Sequence, residues 1–297
     1  MPAGNRNVIT LVAPASPFNG PAFDQGLARL SAALPNIKIN FLFSYAARQQ
    51  GNSEFPFHLA GTDEERARFL NSALLDDKLV MMVRGGFGSS RLLNRLDWNE
   101  IVKARPRVLG FSDFTVILNH LADAGVVGFH GPGLTQLAYV DDDTMQEVAL
   151  LIQGELNWPR CLYGSGLVDG RAQGKLMGGN LAMLCHLLGT PFAPQLKQAI
   201  LFLEEVNEPA YRLDRMLTKL ELAGVPQTIA GVAVGSLVGC QENANDQQER
   251  QQLVNMRLKS WGKPCVVNLP FGHNTCNRIL PVGGWANIED NCLQVGL

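Results

Sequence analysis

Short apolar runs alternate with stretches of helical spacing along the first half of the chain. Val8–Ala13 is an apolar run stopped by Pro14, and Phe23–Leu34 then carries apolar residues three and four apart. Ile37–Phe43 reads as a strand, and Asp63–Leu75 as a helix with Thr62 at its N-cap. Leu79–Val83 is uninterrupted and apolar, the pattern of a strand buried on both faces, and Ser89–Leu96 follows as a helix. Arg107–Leu109, Phe114–Ala124 and Val126–Phe129 extend the series as strand, helix and strand. Repeated βα units predict a mostly parallel sheet covered by helices.

The rhythm changes near residue 158. Pro159, Gly164, Gly166, Gly170 and Gly174 mark turns and a crossing between domains. Beyond it, Asn180–Leu188 and Tyr211–Leu222 read as helices, Ile200–Val206 and Ile229–Val238 as strands, and Asp246–Leu258 as a polar helix with Gln and Arg facing water. Short strands near 264–269, 278–282 and 286–296 close the chain. The expected architecture is α/β: an N-terminal domain over 1–157 with a parallel sheet, a linker over 158–178, and a smaller C-terminal α/β domain over 179–297, rich in short strands.

Composition narrows the function. The 297 residues suit two domains. With 25 Lys and Arg against 27 Asp and Glu the net charge is −2, so no basic field draws the chain to nucleic acid. No stretch approaches the roughly 20 apolar residues that span a bilayer. Met1–Asn7 has one Arg and no apolar segment before Val8, so it does not read as a secretory leader. The six cysteines, at 161, 185, 240, 265, 276 and 292, form no CxxC pair and read as reduced thiols. A soluble cytoplasmic protein acting on a small molecule is expected, with no cofactor, no metal and no membrane partner.

Four places carry candidate chemistry. Gly110-Phe111-Ser112-Asp113-Phe114 joins a strand to a helix. A serine on such a turn holds its hydroxyl beside amides that can receive an oxyanion, here the N–H of Asp113. The second glycine of a G-x-S-x-G elbow is replaced by Phe114, and from spacing alone Ser112 reads more simply as a helix cap. Arg84-Gly85-Gly86-Phe87-Gly88 also follows a strand. Its third dinucleotide-binding glycine is replaced by Arg91, so it reads as a second oxyanion donor or as a tight turn. Both loops leave the C-terminal ends of parallel strands, where open α/β sheets bind ligands. Glu204 ends the apolar strand Leu201-Phe202-Leu203, a place expensive for a carboxylate without a partner, whereas Glu205 and Glu208 read as charges in water. Of the five histidines, His273 in Phe271-Gly272-His273-Asn274 can face a cleft, His130 is its rival, and His120 and His186 sit within helices.

Taken together these segments resemble the LD-carboxypeptidase family, the murein tetrapeptide carboxypeptidases and microcin C self-immunity hydrolases. The stretches that carry the resemblance are Val83-Arg84-Gly85-Gly86-Phe87-Gly88, Gly110-Phe111-Ser112-Asp113-Phe114-Thr115, His130-Gly131-Pro132, Gly178-Gly179-Asn180-Leu181, Phe202-Leu203-Glu204-Glu205, Tyr211-Arg212-Leu213-Asp214-Arg215-Met216-Leu217 and Phe271-Gly272-His273. They follow one another in family order across nearly the whole chain, and this ordered set overturns the cap reading of Ser112. Phe111 and Phe87 stand where the family commonly has Tyr, and Glu205 where it has Asp.

The resemblance implies a serine peptidase with a Ser112, His273 and Glu204 triad, an oxyanion hole from the backbone N–H of Gly86 and Asp113, and a homodimer. It also implies a muropeptide substrate that loses its terminal D-alanine in peptidoglycan recycling. Arg84 is a candidate for the substrate's terminal carboxylate. Asn180 either shapes the cleft or caps a helix. Hydrolysis of a peptidyl or aminoacyl nucleotide is the alternative within the family, and a non-catalytic nucleotide-binding module using the Gly85-Gly86 loop is the alternative outside it.

Overall fold

Each apolar run of the first half forms a strand in the computed structural model, which describes residues 8–48, 58–76, 78–239 and 244–297. Met1–Asn7, read above for a leader, and Cys240 lie outside the described residues. The chain divides into two units, one ending at Leu156 and the next beginning at Asn157.

In the first unit β1 (Val8–Val12), β2 (Lys38–Leu42), β3 (Leu79–Met82), β4 (Arg107–Gly110) and β5 (Gly128–His130) pair in parallel in the order β2-β1-β3-β4-β5. β1 and β3 are buried along their whole length, as their unbroken apolar runs demand, while β2 lies at the margin with Phe41 exposed. The order reverses between β1 and β3, and a reversal of this kind is where open α/β sheets bind ligands in a crevice.

The helices of this unit are α1 (Gly20–Ala33), α2 (Asp63–Leu74), α3 (Trp98–Ala104), α4 (Thr115–Asp123) and α5 (Asp142–Gln153). Thr62 caps α2 as expected: its hydroxyl accepts from Glu65 N, and the Glu65 carboxylate accepts from Thr62 N. α3 and α5 were not anticipated, although Asp97 and Asp141 cap them and Gly154 ends α5 in a left-handed conformation. Ser89–Arg95 is a 3-10 helix rather than an α-helix. The Asp113 carboxylate holds the N–H groups of Gly88 and Ser89, and Arg91 N then bonds to Gly88 O three residues back.

The second unit is built on one mixed sheet. The strands of this unit are β6 (Arg160–Tyr163), β7 (Ser165–Val168), β8 (Arg171–Asn180), β9 (Ile200–Val206), β10 (Gly231–Val238), β11 (Cys265–Val267), β12 (Leu280–Val282), β13 (Trp285–Glu289) and β14 (Cys292–Gly296), and all but β12 belong to that sheet. The sheet runs β6-β14-β13-β8-β9-β10-β11-β7, with β8 to β11 parallel and both flanks antiparallel. Its helices are α6 (Leu181–Leu187), α7 (Ala210–Leu222), α8 (Val225–Thr228) and α9 (Ala244–Trp261).

The stretch 158–178, read from its glycines as a linker, is therefore mostly strand. Gly170, with a φ of +137°, does turn the chain between β7 and β8, whereas Gly164 and Gly174 serve close backbone passage. A side chain at Gly174 would begin 2.1 Å from Gln198 O, and one at Gly164 2.3 Å from Val267 O. Arg250 does not face water as expected. It is buried, on one stripe of α9 with Val254 and Leu258 at four-residue intervals.

Both parts of the expected architecture are present: a parallel sheet flanked by helices, then a strand-rich α/β unit. Among the described residues no helix is long and apolar enough to cross a membrane. One glycine tests the packing of α1. Gly26 is buried, and a Cβ there would stand 2.1 Å from Leu134 O. Helix propensity alone favours Ala over Gly by about 1 kcal/mol. We expect Gly26→Ala instead to destabilise the protein by roughly 1–3 kcal/mol, read from the midpoint of urea unfolding.

Candidate active site

The first unit supplies the turn that carries Ser112. β4 ends at Gly110, and the chain bends so sharply that Ser112 adopts a φ of +58°. A left-handed φ in a non-glycine residue costs on the order of 1–3 kcal/mol and persists only where the surroundings enforce it. Here they do. Phe111 N donates to Met82 Sδ at 3.4 Å, and Phe114 is fully buried. A side chain at Gly110 would meet Phe114 at 2.6 Å, so the glycine makes room for that ring. Ser112 caps neither the 3-10 turn Ser112–Phe114 nor α4, both of which start without a side-chain cap. That removes the simpler reading of its spacing.

The glycine loop after β3 lies against this turn. A Cβ on Gly85 would stand 3.0 Å from both Cβ and Oγ of Ser112 and 3.5 Å from Asp113 N. Gly86 has a φ of +105°, open to glycine alone at little cost. The two loops are tied by Asp113, whose carboxylate is 1% exposed and accepts from Gly88 N at 3.3 Å and Ser89 N at 2.7 Å. Burial raises the pKa of that carboxyl, while the Ser89 and Gly88 hydrogen bonds and the Arg66 charge oppose the rise.

Arg84 is exposed beside the turn, with Nη1 donating to Pro17 O at 2.8 Å. His130, the rival base, is fully buried at the end of β5, edge-on to Phe111 with ring centroids 5.9 Å apart.

The second unit supplies a carboxylate and an imidazole. Glu204 lies on β9, in register with Asn180 on β8, and is 0% exposed. Its Oε2 meets Nδ1 of His273 at 2.5 Å. Gly272, with a φ of +109°, permits the approach, since a Cβ there would stand 2.9 Å from Glu204 Cβ. Gly272 N donates to Asn277 Oδ1 at 2.9 Å, which fixes the loop. Burial alone would lower the His273 pKa. The Glu204 charge and hydrogen bond, with a smaller contribution from Glu205, outweigh it and raise the value above the ordinary 6.5.

Glu205 is not a charge in water as its position suggested; it is buried. It accepts from Asn180 Nδ2 at 2.8 Å, Ala182 N at 2.7 Å and Val206 N at 2.8 Å. Burial and the adjacent Glu204 push its pKa up to about 7, against those three donors. Asn180 Oδ1 caps α6 by accepting from Met183 N at 3.1 Å, so both ends of its amide have protein partners. Glu208 is half-buried and pairs with Arg212.

Two contributors escaped the sequence reading, and a third was read there only as a charge in water. Ser16, between two prolines at the end of β1, accepts from Phe87 N at 3.1 Å. Arg66 is buried in α2 and donates to Gly61 O, Pro14 O and Gly88 O. Glu205 is the third. Only the Pro-Ala-Ser-Pro run directly after a buried strand hinted at Ser16. Among the described residues no group of three or more His, Cys, Asp or Glu side chains is arranged to hold a metal.

Comparison with known proteins places these features in a family. Residues 9–131 match the model of the LD-carboxypeptidase N-terminal domain, and residues 173–288 that of the LD-carboxypeptidase C-terminal domain. Murein tetrapeptide carboxypeptidase from Pseudomonas aeruginosa is 32% identical over 80% of this chain and 81% of its own length. The solved structure of muramoyltetrapeptide carboxypeptidase from Oxalobacter formigenes is 26% identical, with a TM-score of 0.81 over 97% of this chain and 99% of that one. The microcin C7 self immunity protein MccF shares the fold, with a TM-score of 0.78 and 20% identity over 100% of this chain and 97% of that one. The chain belongs to the LD-carboxypeptidase family.

The Glu204–His273 bond makes a prediction separable from any assay. In a histidine-detected NMR titration the His273 ring is expected to titrate above 6.5, and Glu204→Gln to bring its midpoint down. The raised value means that the neutral ring, the form able to accept a proton, predominates only above that midpoint.

Proposed function

We propose that this protein is a serine L,D-carboxypeptidase that releases the terminal D-alanine of murein tetrapeptides. The observation that carries the reading is the 2.5 Å bond from buried Glu204 to His273, in a chain of the LD-carboxypeptidase family. A carboxylate on Nδ1 selects the tautomer that leaves Nε2 as the base. Murein tetrapeptides as substrate are supported by the name of the Pseudomonas relative.

In the proposed reaction His273 Nε2 takes the hydroxyl proton of Ser112 as Oγ attacks the carbonyl of the bond to D-alanine. Glu204 steadies the imidazolium. The oxyanion rests on the backbone N–H of Gly86 and Asp113. His273 then gives its proton to the leaving amine, and water, deprotonated by the same ring, releases the tripeptide and frees Ser112. The resemblance further points to a homodimer working in the cytoplasm, with the muropeptide as its small-molecule partner.

Incubation with murein tetrapeptide, followed by mass spectrometry, tests the reading. Loss of one alanine residue is expected, and Ser112→Ala should lower the rate roughly 10⁴-fold or more. An aminoacyl-sulfamoyl adenosine offered in parallel separates the alternative within the family. If that compound alone is cleaved, the substrate assignment is wrong and the mechanism stands. If a serine-directed phosphonate fails to label Ser112, the non-catalytic alternative gains.

Arg84 is our proposed partner for the substrate's terminal carboxylate, since it is exposed beside the turn and its one described bond leaves donors open. Arg84→Ala should raise KM for tetrapeptide by about 10-fold or more with a smaller change in kcat. An unchanged KM sinks the assignment.

A further inference from the structure

Gly86 sits between two peptide planes, and Ser16 holds both. In a trans peptide the carbonyl and the N–H point in opposite directions. Ser16 N donates to Gly85 O at 3.3 Å, which fixes the plane carrying the N–H of Gly86. Ser16 Oγ accepts from Phe87 N at 3.1 Å, which fixes the plane that follows. Gly86 is the residue that most needs such restraint, because a glycine at φ +105° lacks the steric walls that confine other residues. Ser16 also presses close, since a Cβ on Gly86 would stand 2.3 Å from Ser16 Oγ.

Ser16 is itself anchored. The buried Arg66 guanidinium donates to Pro14 O, two residues before Ser16, and to Gly88 O at 3.0 Å, two residues after Gly86. One side chain thus sets the spacing of the two loops, and the Asp113 carboxylate sets the spacing of the glycine loop from the nucleophile turn.

We infer that Ser16 is a positioning residue of the oxyanion hole, acting through the backbone of Gly86 without touching substrate. The inference rests on the proposed serine chemistry. A donor aimed before the reaction costs no reorganisation when charge develops, so freeing the Gly86–Phe87 plane beside it should loosen its aim, weaken binding of the tetrahedral state and spare binding of the product.

The test uses the full-length protein and Ser16→Ala, which removes the hydroxyl but keeps the backbone bond. Three quantities are measured: kcat and KM for tetrapeptide, affinity for a boronic-acid analogue whose boron takes the Ser112 Oγ, and affinity for tripeptide product. We expect kcat to fall roughly 10-fold or more, short of the ~10²–10³ for losing a whole donor. Boronate affinity should fall by a similar factor, with KM and product affinity within about 2-fold of wild type. Wild-type values throughout overturn the inference, as does an equal loss of boronate and product affinity, which marks a general disturbance. If the wild-type protein forms no adduct at Ser112, the serine reading fails and takes this one with it. An adduct that Ser16→Ala leaves untouched sinks the role of Ser16 alone.

Discussion

Two carboxylates stand next to each other at the buried end of β9, and the second unit is organised around satisfying both. Neighbouring residues of a strand point to opposite faces, and Glu204 and Glu205 take different hydrogen-bond partners. Glu204 meets the His273 ring, and Glu205 meets Asn180 and the first turn of α6. Removing one member of a buried charge pair typically costs about 3–5 kcal/mol, because the survivor is left without compensation. The closeness of Gly272 to Glu204 and the Asn277 bond follow from that requirement. Together they hold the His273 loop against the end of a strand otherwise made of Ile, Leu, Phe and Val.

The first unit solves a different problem, the shaping of backbone. Its polar side chains at the crevice mostly bind main chain. Asp113 takes two amides, Ser16 one, and Arg66 three carbonyls. Glycines occur where those loops cross: a methyl group would collide with neighbours at Gly86 and Gly110 and crowd the Ser112 side chain at Gly85. The strand order reverses between β1 and β3, and there these bonds join the loops that leave the two strands.

Much of this was legible in the chain, for physical reasons that differ from place to place. The buried strands declare themselves because a parallel strand covered on both faces has few polar positions, as in Leu79–Met82. Thr62 and Glu65 announce α2 because a capping box is local chemistry. The glycines of 158–178 misled because a glycine that turns and one that lets another strand pass look the same in sequence. Ser112 was ambiguous because the second glycine of the elbow is Phe114, whose ring fills the space beneath Gly110. The family resemblance, not the spacing, is what favours a nucleophile over a cap at Ser112. Ser16, Arg66 and Glu205 were hidden because their partners are mostly backbone atoms far along the chain, and no residue type advertises such a bond.

The described bonds that shape the Ser112 turn and the glycine loop beside it, from Met82, Ser16, Arg66 and Asp113, all originate before residue 157. The imidazole and its carboxylate both come after it. Under the proposed assignment, a polypeptide emerging from the ribosome would finish its hydroxyl-bearing half first and remain chemically idle until the remainder was synthesised. Latency of this kind needs no propeptide and no inhibitor, because it follows from the order in which the two halves are encoded.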